Sequence, residues 1–166
     1  MSTTRQIPSD PAKAKTLALI ISAALLSGVV LFALFVLMQT PLDAVPEKGS
    51  VGALHEDPTA LTFLVVAVVL HVGSMLVGRK MHETEGDAAT RTRRAFRLHL
   101  TSLAMAEAVA ITGLVLVLIK GTWEACLPFA IGFATMIACF VRALVAFDRI
   151  AEEAPRAAFD ARAGRP

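Results

Sequence analysis

Four long stretches of the chain are almost free of charge, and polar segments separate them. They are residues 17–38 (LALIISAALLSGVVLFALFVLM), 61–78 (LTFLVVAVVLHVGSMLVG), 98–119 (LHLTSLAMAEAVAITGLVLVLI) and about 124–147, opening EACLPFAIGFATMIACF. Each is about 18–24 residues long, which suits a helix crossing a hydrocarbon core about 30 Å thick. Only helices satisfy the backbone in such runs, and the alternating ten-residue strands of a membrane barrel are missing. The pattern predicts an all-α, polytopic four-transmembrane-helix bundle over residues 17–147. A polar segment, 1–16, precedes it and a polar tail, 148–166, follows it. The first run is too long for the apolar core of a cleavable signal and reads as a retained helix.

Composition agrees with this pattern. Hydrophobic residues make up 55% of the 166 positions, charged residues only 18%, and the mean hydropathy is +0.64. Soluble domains sit nearer 45–50% apolar and about 25% charged. A soluble enzyme, a disordered tail and a disulfide miniprotein are thereby excluded. The net charge of +2 is small, but its placement is uneven. Fourteen of the Lys and Arg residues fall in 1–16, 79–97 and the C-terminal end, and only Lys48 and Lys120 fall on the other side. The positive-inside rule then puts both termini and the basic 79–97 loop in the cytoplasm, in a multi-pass protein of the cell inner (plasma) membrane. The 39–60 loop is acidic, and Trp123 is expected at the opposite interface. The basic loop reads as a topology signal beside anionic lipid or as a docking site for a cytosolic partner. Its RTRR stretch is too short to argue for nucleic acid.

Lipid does not drive helices together, so small-residue faces are expected at the contacts. On the fourth helix Ala130, Ala134 and Ala138 recur at every fourth position, continued by Arg142. The first helix pairs Ala23 with Ser27 and Ala24 with Gly28, and the third is alanine-rich up to Gly113. These faces predict a compact bundle, or a seal against a membrane partner or a second copy of the chain.

Three groups inside the apolar runs could carry chemistry. Glu107 lies mid-way along the third helix, and a charged acid at that depth costs roughly 2.5–3.5 kcal/mol, so it is either protonated or partnered. His71 is the second deep polar group. It lies about 12 Å from the basic rim, against about 15 Å for Glu107, so the two are expected at similar depth. They sit on sequential antiparallel helices and are candidates for a hydrogen bond, forming an ion-binding pair with Arg142 as a charge partner. Each also has a plain structural reading: a protonated acid with one hydrogen bond, a neutral histidine bonded to a carbonyl or serine, and a snorkelling arginine. Cys126 and Cys139 are about 20 Å apart along one helix and cannot pair. No metal-ligand spacing, phosphate loop, haem-ligand pair or nucleophile with a base is present, so neither a catalytic residue nor a cofactor is assigned.

The third helix, AMAEAVAITGLVLVLI around Glu107, resembles the ion-binding helix of the proteolipid (c) subunits of rotary ATPases. The helix–basic loop–helix arrangement before it is similar to that family's hairpin. The resemblance implies a carboxyl at Glu107 that takes up and releases a proton or sodium ion. It covers about 16 residues, and the loop lacks the proline of the family's Arg-(Gln/Asn)-Pro turn. Two functions follow as expectations. The first is a small non-enzymatic membrane protein acting as an accessory or interaction subunit. The alternative is proton or sodium translocation at Glu107.

Overall fold

A computed structural model describes residues 8–39, 57–82, 86–120 and 126–162, with side chains omitted for His82 and 156–162. The acidic loop, Trp123 and the two chain ends therefore lie largely outside the described residues. Four helices account for nearly all the rest: α1 (Pro11–Gln39), α2 (Pro58–Arg79), α3 (Ala88–Lys120) and α4 (Cys126–Arg162). A single 3₁₀ turn, Lys80–His82, ends α2. All four are long and apolar enough to cross a bilayer. The expected all-helical four-span architecture is present, with no strand among the described residues.

The helices overrun the apolar runs. α1 begins six residues before its run, α3 ten residues before, and α4 continues well past residue 147 into the polar tail. Hydropathy marks where the chain meets lipid, whereas the helix ends where its terminal backbone groups find other partners. Aspartates do this at three N-termini. Asp10 accepts from the Ala12 amide at 3.0 Å, Asp57 from Thr59 at 2.8 Å, and Asp87 from Thr90 at 2.9 Å. Pro11 and Pro58 occupy the first helical position, where no amide proton is needed. Gly86, with φ at 101°, supplies the left-handed residue that turns the chain into α3. The Asp87 carboxyl is held below its ordinary value of 3.8, chiefly by the Thr90 side-chain and backbone hydrogen bonds.

The central helix is α3, which touches all three others. Its closest approach is to α4, where Gly113 faces the backbone of Phe129 and Gly132 faces that of Ala110 and Val109. A Cβ at either glycine would overlap main-chain atoms, so the two backbones meet with no side chain between them. The core is stacked in three apolar clusters along the bundle. Ala14, Ala18, Ala95, Phe96, Ala143, Phe147 and Ile150 form one at the basic rim. Val29, Leu103, Ala106, Ala110, Met136 and Cys139 form the middle. Val36, Ala60, Leu114, Leu116 and Val117 close the opposite end. Ion pairs pin the ends: Lys15–Asp148 (2.6 Å) and Arg91–Glu153 (2.5 Å) at the basic rim, and Lys120–Asp57 at the other.

Of the small-residue faces expected at the contacts, that of α3 is buried through Ala106, Ala110 and Gly113, while those of α1 and α4 mostly face outward. Ala130 and Ala134 are exposed, as are Ala23, Ala24, Ser27 and Gly28. The buried positions recur instead at sevens: Ala60, Ala67 and Ser74 on α2, continued by Met81 in the 3₁₀ turn, and Gly132, Cys139 and Ala146 on α4. Seven residues are nearly two full turns, so this spacing holds to one face, while a strict four-residue row drifts around the helix.

Candidate functional site

On α2, His71, Ser74, Met75 and Gly78 lie within two turns of one another. On α4, Thr135, Cys139 and Arg142 follow the i, i+4, i+7 spacing that keeps side chains on one face. The two sets meet in three rungs beside α3.

The first rung joins His71 Nδ1 to Thr135 Oγ1 at 3.1 Å. Thr135 has a single hydroxyl proton, and its Oγ1 donates to the Ile131 carbonyl at 2.7 Å. The His71 Nδ1–H must therefore be the donor to Thr135. The other ring nitrogen, Nε2, then keeps its lone pair in the neutral imidazole. His71 is half-buried and Thr135 buried, so the tautomer is set by a bond shielded from water.

The second rung ties three helices. Ser74 Oγ donates to the Ser102 carbonyl at 2.9 Å, and Ser102 Oγ donates to the Ser74 carbonyl at 2.8 Å. With both hydroxyl protons spent on carbonyls, the Cys139 thiol supplies the proton toward Ser102 Oγ at 3.0 Å. All three side chains are fully buried. The third rung is Arg142, which reaches Met75 Sδ at 3.4 Å and lies over Gly78. A Cβ at Gly78 would stand 3.2 Å from the guanidinium, so the glycine makes room for it.

The expected pairing of Glu107 with His71 or Arg142 is not among the bonds of the described residues. His71 and Arg142 bind across the α2–α4 seam. Glu107 sits on the α3 flank away from α2, half-buried between exposed Ala104 and Ile111. Equal depth along the bilayer normal left its azimuth open, and the azimuth separates the two. A second polar contact was not anticipated: His99, fully buried, meets Ser22 Oγ through Nε2 at 3.0 Å and joins α3 to α1. Ser74, Ser102 and Thr135 were also passed over, and Cys139 was weighed only as a disulfide partner. Their spacing relative to His71 and Arg142 was the available signal. Both cysteines are free, as their separation required.

A family model for the cation efflux transmembrane domain matches residues 4–154, which covers all four spans. The chain belongs to this family. No curated protein and no solved structure matches the chain. Membership overturns the proteolipid resemblance, which rested on about 16 residues of one helix, whereas this match runs through the whole bundle. Small residues recur wherever transmembrane helices pack closely, so an alanine-rich stretch of one span is weak grounds for a family. The chain is thus an integral membrane protein with a cation efflux domain. Among the described residues no group of three or more His, Cys, Asp or Glu converges on one point. The polar seam is a file of imidazole, hydroxyl and sulfur groups that ends in one guanidinium.

Proposed function

We propose that the chain moves a metal cation across the bilayer along the α2–α4 seam, with His71 Nε2 as the ligand inside the membrane. The observation that carries this reading is the commitment of the Thr135 proton to Ile131, which makes Nδ1 the donor to Thr135 and leaves Nε2 as the ring nitrogen that can bind a cation. Family membership supplies the class of cargo. Imidazole nitrogen flanked by thiol and thioether suits a borderline transition metal better than a hard cation such as calcium. One strong ligand, with water or hydroxyl oxygens completing the shell, fits a transit site, since conduction needs binding weak enough to release. Arg142 places a positive charge at the basic end of the file and opposes passive leak of cations. The Lys/Arg asymmetry orients that rim toward the cytoplasm of the plasma membrane.

The test is a titration of purified protein with Zn²⁺, following the ¹⁵N resonances of the histidine side chains. His71 Nε2 is expected to shift, and His71→Gln to abolish the response. Thr135→Val removes the bond that orients the ring, and loss of such a partner weakens metal binding about 10–100-fold. An unperturbed His71 at saturating zinc overturns the reading.

A second reading, an accessory or interaction subunit, is favoured by one observation. Ala23, Ala24, Ser27 and Gly28 form an exposed patch on α1, with nothing within 4 Å of a Cβ built at Gly28. Close approach of a partner helix or of a second copy suits such a surface. Cysteine cross-linking through Ser27→Cys in native membranes distinguishes it. Cross-links to another protein or copy support this reading, and none above a lipid-facing control at Leu31→Cys rejects it.

A further inference from the structure

Met75 lies four residues beyond His71 on α2, a spacing that stacks the two side chains on one face, about 6 Å apart along the axis. Helical side chains lean toward the N-terminus, so the long Met75 thioether covers the turn on the His71 side. Both residues are half-buried in the α2–α4 seam. His71 Nδ1 is held by Thr135 at 3.1 Å, and Nε2 has no partner among the described residues. The Met75 sulfur does have a partner, and it is a cation: Arg142 Nη1 stands 3.4 Å from Sδ. Gly78 leaves the room for this, since a Cβ there would come within 3.2 Å of the same nitrogen. A guanidinium ordinarily takes a carboxylate or a phosphate. Among the described residues no carboxylate pairs with Arg142, and its hydrogen-bond acceptor is this thioether. Residues 58–79 and 126–147 contain no Asp or Glu. A soft lone pair thus already faces a positive charge, one turn from the free nitrogen of His71.

We propose that Met75 is a second ligand beside His71, and that the pair binds a soft monovalent cation, of the copper(I) or silver(I) class, which displaces Arg142 from the sulfur. The proposal rests on the reading of His71 as the ligand inside the membrane and narrows its cargo. Thioether sulfur is a soft donor that selects copper(I), whereas zinc sites draw on thiolate, imidazole and carboxylate. Charge points the same way. One imidazole and one thioether bring no negative charge, and the two helices of the seam offer no carboxylate to offset a divalent ion. An uncompensated second charge away from water is costly, so a singly charged ion is the better guest. Zinc is held by His71 alone, and the soft ion by both residues. Arg142 is a tethered competitor: it keeps the sulfur from hard cations and yields it to a soft one.

The test is NMR of the full chain in detergent micelles, labelled with ¹³C at the methionine methyls and ¹⁵N in the histidine rings, and titrated separately with Ag⁺ and Zn²⁺. Silver is the probe because it shares the donor preference of copper(I) without its air oxidation. The Met75 methyl resonance, assigned by its loss in Met75→Leu, should move with silver and stay in place with zinc, while His71 Nε2 moves with both. Met75→Leu should weaken silver binding at His71 by at least about ten-fold, the lower bound for losing a mere outer-shell partner, and leave zinc binding unchanged. Arg142→Gln should tighten silver binding by removing the competitor. The Met75 shift should persist in Cys139→Ser, and its loss there would place silver on the thiol and overturn the pair. Silver that moves His71 without Met75, or zinc that moves Met75 as far as silver does, overturns the soft two-ligand site and leaves the His71 reading standing. If neither ion moves His71, that reading falls and the proposal with it.

Discussion

Adding one methyl group to α3 or to α1 should change stability in opposite directions. A Cβ at Gly113 would overlap the Phe129 amide nitrogen, with Phe129 Cα at 2.7 Å and Cβ at 2.8 Å. Ordinary van der Waals contact starts at 3.4 Å, so α3 and α4 must part locally by at least about 0.7 Å. Backbone cannot rotate away as a side chain can. Overpacking typically costs about 1–3 kcal/mol, and this site belongs at the upper end. Better helix propensity returns about 1 kcal/mol, which leaves Gly113→Ala destabilised by about 2 kcal/mol. Gly28→Ala gains the same propensity and meets nothing within 4 Å, so it should be stabilised by up to about 1 kcal/mol. The assay is reversible unfolding of each purified variant in mixed detergent micelles, with wild type alongside. A difference of about 3 kcal/mol between the two alanines is expected from these terms. Equal behaviour of the two variants would refute the glycine-mediated crossing, and with it the central place of α3. Gly132→Ala should repeat the Gly113 result, because its Cβ would meet Ala110 and Val109 backbone at the same crossing.

Two further outcomes follow from particular bonds. Ser102→Ala removes the donor to the Ser74 carbonyl and the acceptor for Cys139, and it should cost about 0.6–1.7 kcal/mol in the same unfolding assay, while exposed Thr101→Ala is neutral. The N-cap of α3 should be acid-sensitive with a defined sign. The Asp87 carboxyl has a folded-state pKa below 3.8, so its contribution is present at neutral pH and is lost as pH falls through that lowered value. Amide exchange in the first turn of α3 should accelerate there in wild type, and Asp87→Asn should remove the pH dependence.

The spans were legible because hydropathy depends on composition over a whole turn-rich segment, which is insensitive to which face a residue occupies. Contacts depend on azimuth, and nearly uniform apolar helices give little purchase on it. That is why Ala130 and Ala134 looked like an interface and face outward, while the sevenfold row through Gly132 and Cys139 does the packing. Glu107 and His71 share a depth and stand on different sides of α3. His71 and Arg142 stand out in the sequence as polar groups, but their partners in the structure, Thr135 and Met75, are side chains that look unremarkable in an apolar run. The helix ends were misjudged for a separate reason: capping by Asp10 and Asp87 acts in water, beyond the reach of any hydropathy signal.

The central claim is that a cation passes the seam at His71. The direct measurement is metal uptake into proteoliposomes carrying a trapped fluorescent chelator, for wild type, His71→Gln and Glu107→Gln. The account predicts uptake by wild type, its loss in His71→Gln and its retention in Glu107→Gln. Uptake that survives His71→Gln, or that fails only in Glu107→Gln, would contradict it.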